Sequence, residues 1–198
     1  LSTSDFTDFE PLANGLLERY KKNYINISLP SLRIDAFSLE LMEKLQEVRK
    51  SSLTFAPEAG SQRLRNVINK NLTEEEILNG CSLAFNGGWD KVKLYFMIGL
   101  PTETDEDLYG ISDLCEKIVE KFYEMPKEKR PRPVSVTASA SCFVPKPFTP
   151  FQWDAQDSYE TFSRKGGMVK KSISRKQVRF SYHDTKLSAL EGVLARGD

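Results

Sequence analysis

The 198-residue sequence predicts an α/β fold, a parallel sheet curled into a closed or partial β/α barrel with a wet concave face. Two observations carry that expectation. Strand-like runs alternate with helical ones along the chain, the pattern of right-handed βαβ units and a parallel sheet. Within the strands one face is apolar and the other small and polar, at period two. Strands of a doubly wound sheet are covered on both faces and read as unbroken apolar runs. Strands with one small-polar face instead call for helices on one side and a polar, ligand-sized cavity on the other. An antiparallel sheet with one solvated face shows the same alternation, but the intervening helices count against it.

The elements follow in order. Phe9–Asn23 has helical period, and Tyr24–Leu29 is a short strand. Ser38 opens a helix that runs to about Lys50. Ser52–Pro57 is a strand, with Leu53 and Phe55 opposing Thr54 and Ala56, and a helix from about Ser61 to Asn69 follows. Thr73-Glu-Glu-Glu76 is a capping box for a helix ending near Gly87-Gly88. Val92–Ile98 is a strand in which Val92, Leu94, Phe96 and Ile98 oppose Lys93, Tyr95 and Met97. Thr104-Asp-Glu-Asp107 caps a long helix to about Tyr123. In the longest strand, Val134–Val144, the even positions are apolar and Ser135, Thr137, Ser139 and Ser141 share the other face. A Pro-rich aromatic loop, Lys146–Trp153, leads to a helix from about Asp157 to Ser174, interrupted at Gly166-Gly167. Gln177–Tyr182 is the last strand and Leu187–Ala195 the last helix. Residues 1–154 are expected to form the core, and 155–198 a helix–strand–helix extension packed on it.

Composition narrows the function classes. Lys+Arg and Asp+Glu are equal at 28 each, against a generic nucleic-acid or polybasic membrane surface. At 39% hydrophobic and 11% aromatic residues the chain can bury a core, and it has no apolar run of membrane-spanning length. Residues 1–6 lack an initiator Met, a basic region and an apolar region, and read as the start of a piece cut from something longer. Cys81, Cys115 and Cys142 form no CxxC pair, so buried thiols in a reducing cytoplasm are expected rather than disulfides or a metal site.

Ligands of β/α barrels bind at the C-terminal ends of the strands, and four such ends stand out. Pro30–Asp35 sets Arg33 and Asp35 beside the mouth. At Glu58-Ala-Gly-Ser61, parity puts Glu58 on the lumen face, and Gly60-Ser61 opens a helix whose free N–H groups suit an anion. At Ile98-Gly-Leu-Pro101, Gly99 lets the backbone approach a flat ligand. Phe143–Trp153 is stiffened by three prolines and rich in apolar surface. Each has a plain structural reading as a turn or a cap; four in register on successive strands favour a site. His183, the single histidine, follows the last strand and is the candidate for proton transfer.

Phe96-Met-Ile-Gly-Leu-Pro-Thr-Glu-Thr104 resembles the fifth-strand motif of radical S-adenosylmethionine (SAM) enzymes. Glu58-Ala-Gly-Ser-Gln-Arg-Leu64, with Asn69-Lys70 and Thr73 downstream, resembles their fourth-strand segment, and the order and spacing of strands match as well. The combination with residues 28–35, 143–153, His183-Asp184 and 195–198 is similar to an uncharacterised bacterial group within that superfamily, usually built with an N-terminal cobalamin-binding-like domain. The resemblance implies a partial (β/α) TIM-like barrel of the radical SAM type, truncated at its N-terminal side. It also implies SAM and a 4Fe-4S cluster as cofactors of the full-length protein, reductive cleavage of SAM to a 5′-deoxyadenosyl radical, and an upstream cobalamin-binding-like domain.

The CxxxCxxC loop that holds the cluster is absent from this chain, and the three cysteines do not replace it. No metal ligands are therefore assigned, and the chain by itself is expected to be inactive. Carried over residue by residue, Glu58 would accept hydrogen bonds from the SAM ribose, with Ser61 opening the helix beside it. Lys70 would pair with the methionine carboxylate, and Ile98, Gly99 and Val144 would border the adenine. Tyr95 and Lys93 face the lumen toward ribose or substrate. The basic run Lys165, Lys170, Lys171, Arg175 and Lys176 reads as a solvated helix face, with RNA as its functional alternative. Two other functions compete with the radical enzyme: a non-redox partial barrel binding a nucleotide or phosphate, and an RNA-modification subunit.

Overall fold

The computed structural model describes residues 6–23, 25, 53–130 and 132–197. The expected strand at 24–29, the helix at 38–50 and the Arg33/Asp35 segment lie outside the described residues, Ile25 excepted. Helix α1, Phe9–Tyr20, buries Phe9, Ala13 and Leu17, one per turn, and a 3-10 turn follows at Lys21–Asn23.

The remaining elements form an α/β unit around a four-stranded parallel sheet in sequential order. Its strands are β1 (Leu53–Glu58), β2 (Lys91–Ile98), β3 (Ser135–Cys142) and β4 (Val178–Tyr182). Between β1 and β2 come α2 (Gln62–Val67) and α3 (Glu74–Asn86); α4 (Asp105–Tyr123) joins β2 to β3, and α5 (Tyr159–Ser172) joins β3 to β4. Helix α6 (Thr185–Arg196) closes the described chain. Because β4 pairs with β3, residues 155–198 continue the sheet.

The alternation read from sequence sorts the two faces. Phe55, Leu94, Phe96, Ala138 and Ala140 lie beneath the helices with Ile77, Phe85, Leu108, Ile111, Phe122 and Phe162 in one core. Each fully buried Phe, Leu or Ile of this layer contributes about 1.5–3 kcal/mol. Ser135, Thr137, Ser139 and Ser141 stay half-exposed on the opposite face. The register sets that face in rows: Thr54, Lys93, Thr137 and Arg179 lie abreast, and Tyr95, Ser139 and Ser181 form the next row toward the C-terminal ends.

Helix starts follow their caps. Thr73 Oγ1 accepts the Glu76 amide at 3.1 Å, and Glu76 Oε2 accepts the Thr73 amide at 2.7 Å. At α4, Asp107 accepts the Thr104 amide at 2.8 Å and also receives the Ser61 hydroxyl and the Arg63 guanidinium, tying the starts of α2 and α4 together. Burial alone would raise the Asp107 carboxyl, but these donors outweigh it and hold it at about 2. Its stabilising share is therefore complete above the ordinary carboxylate value and is lost as pH falls through about 2. Asp107→Asn should lose about 1.5–3 kcal/mol at pH 7, the worth of hydrogen bonds to a charged group. Chemical denaturation at pH 7 and pH 2 checks this: the gap between parent and variant should shrink at the lower pH. A gap that stays constant rules the charge out.

Two expectations are corrected. Helix α5 runs without a break through Gly166-Gly167. A Cβ on Gly166 would lie 2.7 Å from the Tyr182 ring, so glycine serves a close helix–strand contact there rather than ending the helix. Lys165 is not part of a solvated basic face: it lies buried with Phe162, Gly166 and Val169 on the inner stripe of α5. The three cysteines are free and buried, and burial pushes the Cys115 thiol up to about 12, so it stays a thiol.

Candidate functional site

The C-terminal ends of the four strands border a cavity of about 650 Å³. Glu58 and Lys70 line it on the β1 side, Met97 and Val144 stand at the ends of β2 and β3, and Phe151 and His183 complete the rim. This volume and the mixture of apolar wall with few charges are typical of small-molecule sites.

Glu58 arrives there by an irregular route. The β1–β2 register slips between Phe55 and Glu58, at the point where Pro57 offers no amide to the ladder. Glu58 itself has φ 67, a left-handed conformation rare outside glycine and concentrated at functional sites. The following turn is held by the buried Arg65 guanidinium, which donates to the carbonyls of Ala59 at 3.0 Å and Gly60 at 3.2 Å. Lys70 comes back over the end of α2: Asn69 has φ 54, and the Lys70 amide donates to the Arg65 carbonyl at 2.8 Å. Twelve residues apart in sequence, Lys70 Nζ and Glu58 Oε1 lie 3.6 Å from each other. Burial pushes the Glu58 carboxyl up, and Lys70 offsets this only in part.

The remaining residues singled out in the sequence divide. Val144 and His183 line the cavity, and the His183 amide continues the ladder to the Ala140 carbonyl at 3.0 Å. Tyr95 is 39% exposed on the concave face below Met97, with Lys93 Nζ 4.8 Å from its ring centroid. Ser61 is committed to the fold: it caps α2 by accepting the Leu64 amide at 3.0 Å, and its hydroxyl donates to Asp107. Ile98 points into the helical core, and its carbonyl accepts the Phe143 amide at 2.9 Å. Gly99 has φ 80 and donates to Glu103 Oε1 at 2.8 Å. A Cβ there would sit 2.3 Å from the Phe162 ring, so the close approach that glycine permits is to α5. Ile98 and Gly99 are not among the cavity-lining residues; their neighbours Met97 and Leu100 are.

Other residues take roles at the site that the sequence reading did not assign to them. Lys165 Nζ lies 2.9 Å from Glu103 and 2.7 Å from Asp157, clamping the loop after β2 to α5. Burial would lower the Lys165 ammonium, but Asp157 and Glu103 outweigh it and hold it protonated. The signal was present: Phe162, Lys165, Gly166 and Val169 occupy helical positions i, i+3, i+4 and i+7. Lys146 and Glu191 pair at 3.0 Å on the cavity's far rim, and Phe143 and Phe151 meet edge-to-face at 6.2 Å. The Lys146–Glu191 pair joins a loop to a helix 45 residues on, which no local pattern announces.

Chemically, the cavity offers an anionic and a cationic group side by side at one end and an aromatic–aliphatic wall along it. That suits a ligand with hydroxyls and a carboxylate at one end and a flat apolar ring at the other. Among the described residues no group of three His, Cys, Asp or Glu side chains could hold a metal ion, and the buried thiols do not fit an iron–sulfur cluster. No helix among the described residues is long and apolar enough to cross a membrane.

Residues 2–115 match the model of the radical SAM superfamily. An uncharacterized protein of Methanocaldococcus jannaschii is 37% identical over 174 residues, 88% of this chain and 36% of that protein. The chain thus spans about a third of the length of the curated relative it matches.

Proposed function

Because the chain belongs to the radical SAM superfamily, we propose that its sheet is part of a (β/α) barrel and that the cavity at the strand ends is the SAM site. The observation that carries this reading is the meeting of Glu58 and Lys70 at 3.6 Å on the cavity wall. In the reading, the Glu58 carboxylate accepts hydrogen bonds from the ribose hydroxyls and Lys70 holds the methionine carboxylate. Val144, Met97 and Phe151 flank the adenine and exclude water from it. Glu58 and Lys70 would exchange their mutual ion pair for these contacts, so the pair itself need add little to stability. In the same reading His183, which lines the cavity at the end of β4, serves the substrate side as the proton-transfer residue. When bound at a reduced 4Fe-4S cluster in the whole protein, SAM supplies a 5′-deoxyadenosyl radical. The cluster's ligands are not among the described residues, and this chain alone is proposed to be inactive. An upstream cobalamin-binding-like domain and a cytoplasmic location belong to the same proposal.

Equilibrium dialysis tests the reading. The chain should bind SAM and, more weakly, adenosine. Lys70→Met should weaken SAM about tenfold, roughly 1.4 kcal/mol, and leave adenosine unchanged, because only SAM carries the carboxylate. An equal loss for both ligands would mean that Lys70 merely shapes the loop; absence of SAM binding by the parent chain would refute the site.

A further inference from the structure

Among the described residues, the concave face of the sheet below the cavity carries cations without matching carboxylates. Lys93, Thr137 and Arg179 lie abreast on β2, β3 and β4, so the two cations flank a hydroxyl at one strand spacing each, roughly 10 Å from Cα to Cα. Thr54 extends the row on β1, and the next row offers the hydroxyls of Tyr95, Ser139 and Ser181. Along the described strands, the inward positions hold no carboxylate until Glu58 at the rim. No carboxylate of the described residues is paired with Lys93 or Arg179. On the helical layer the opposite holds: Lys117 pairs with Glu74, Arg164 with Asp105 and Arg175 with Glu120.

The cations also have room to act. Lys93 Nζ sits over the Tyr95 ring, two residues nearer the cavity, so this ammonium leans toward the strand ends. Arg179 borders a separate hollow of about 450 Å³ with Ser135, Lys176 and Gln177. Two long, flexible cationic side chains on either side of a row of hydroxyls make a receptor for an anion.

We propose that the concave face holds the anionic group of the substrate, a phosphate ester or carboxylate, between Lys93 and Arg179 over Thr137 and Ser139. The ligand's other end then points along the strands toward the cavity at their C-terminal ends. That the anion belongs to a substrate rests on the radical SAM reading; the anion site itself does not.

Nuclear magnetic resonance of the ¹⁵N-labelled chain, titrated with pyrophosphate in one arm and citrate in the other, tests this. Amide shifts should centre on residues 93, 95, 137, 139 and 179. Lys93→Met and Arg179→Met should each weaken binding at least tenfold, and Lys93→Arg should restore most of it. Lys170→Met, on the far layer, should change nothing. Tighter pyrophosphate binding assigns a phosphate ester and tighter citrate a carboxylate. Shifts centred elsewhere, or affinities equal in parent and both Met variants, overturn the proposal. SAM dialysis in parallel separates the two readings: anion binding without SAM binding refutes the proposed function alone, and SAM binding without anion binding refutes this inference alone.

Discussion

Glu58→Ala should weaken SAM binding by about ten- to a hundredfold, because hydrogen bonds to a charged acceptor contribute roughly 1.5–3 kcal/mol. The backbone supplies a control for this variant. Glu58 holds a left-handed φ of 67, which alanine tolerates no better and glycine tolerates freely. Glu58→Gly should therefore keep or raise the melting temperature while losing as much SAM affinity as the alanine variant. Burial raises the Glu58 carboxyl above its usual value, so affinity should be full above that raised value and fall as pH drops through it. Equilibrium dialysis across pH, with melting curves for both variants, measures all three. Undiminished SAM affinity in the glycine variant would make Glu58 a turn residue, and Tyr95 or Lys93 would then inherit the ribose.

Among the described glycines, Gly60→Ala should be the most destabilising alanine substitution. A Cβ on Gly60 would lie 2.3 Å from the Ile111 amide nitrogen and 2.5 Å from the Asp107 carbonyl oxygen, both backbone atoms of α4. No side chain can swing aside to make room, so α4 must move and the Asp107 network with it. Overpacking of this kind costs about 3 kcal/mol, which for a chain of this size lowers the melting temperature by roughly 6–12 °C. Gly110 faces Gly60 from α4, its added Cβ 2.9 Å from the Gly60 carbonyl carbon, so the double alanine variant should fall short of the sum. Gly167→Ala, where nothing lies within 4 Å, should instead stabilise α5 by about 0.5–1 kcal/mol. Equal melting temperatures for the Gly60 and Gly167 variants would show that the α4 contact is not close-packed.

The amino-acid sequence by itself determined the layers of this protein. A period of two in Val92–Ile98 and Val134–Cys142 assigns each side chain to a face, because successive strand residues must point to opposite sides. Thr73 with Glu76 and Thr104 with Asp107 mark two helix starts, since a cap is local chemistry between residues three apart. Parity puts Glu58 on the concave side, where the alternating burial of β1 keeps it; the register slip, the left-handed φ and the Arg65 guanidinium that holds the following turn come only with the tertiary structure. The same limit explains Gly99 and Gly166, which a sequence shows only as small residues. Which surface demands their smallness is decided by Phe162 and Tyr182, arriving from segments far along the chain. Lys165 reads as one more lysine of a basic run until folding carries it to Glu103 and Asp157. Local spacing encodes faces and caps; tertiary structure alone decides which charges meet, because that depends on contacts between residues tens of positions apart.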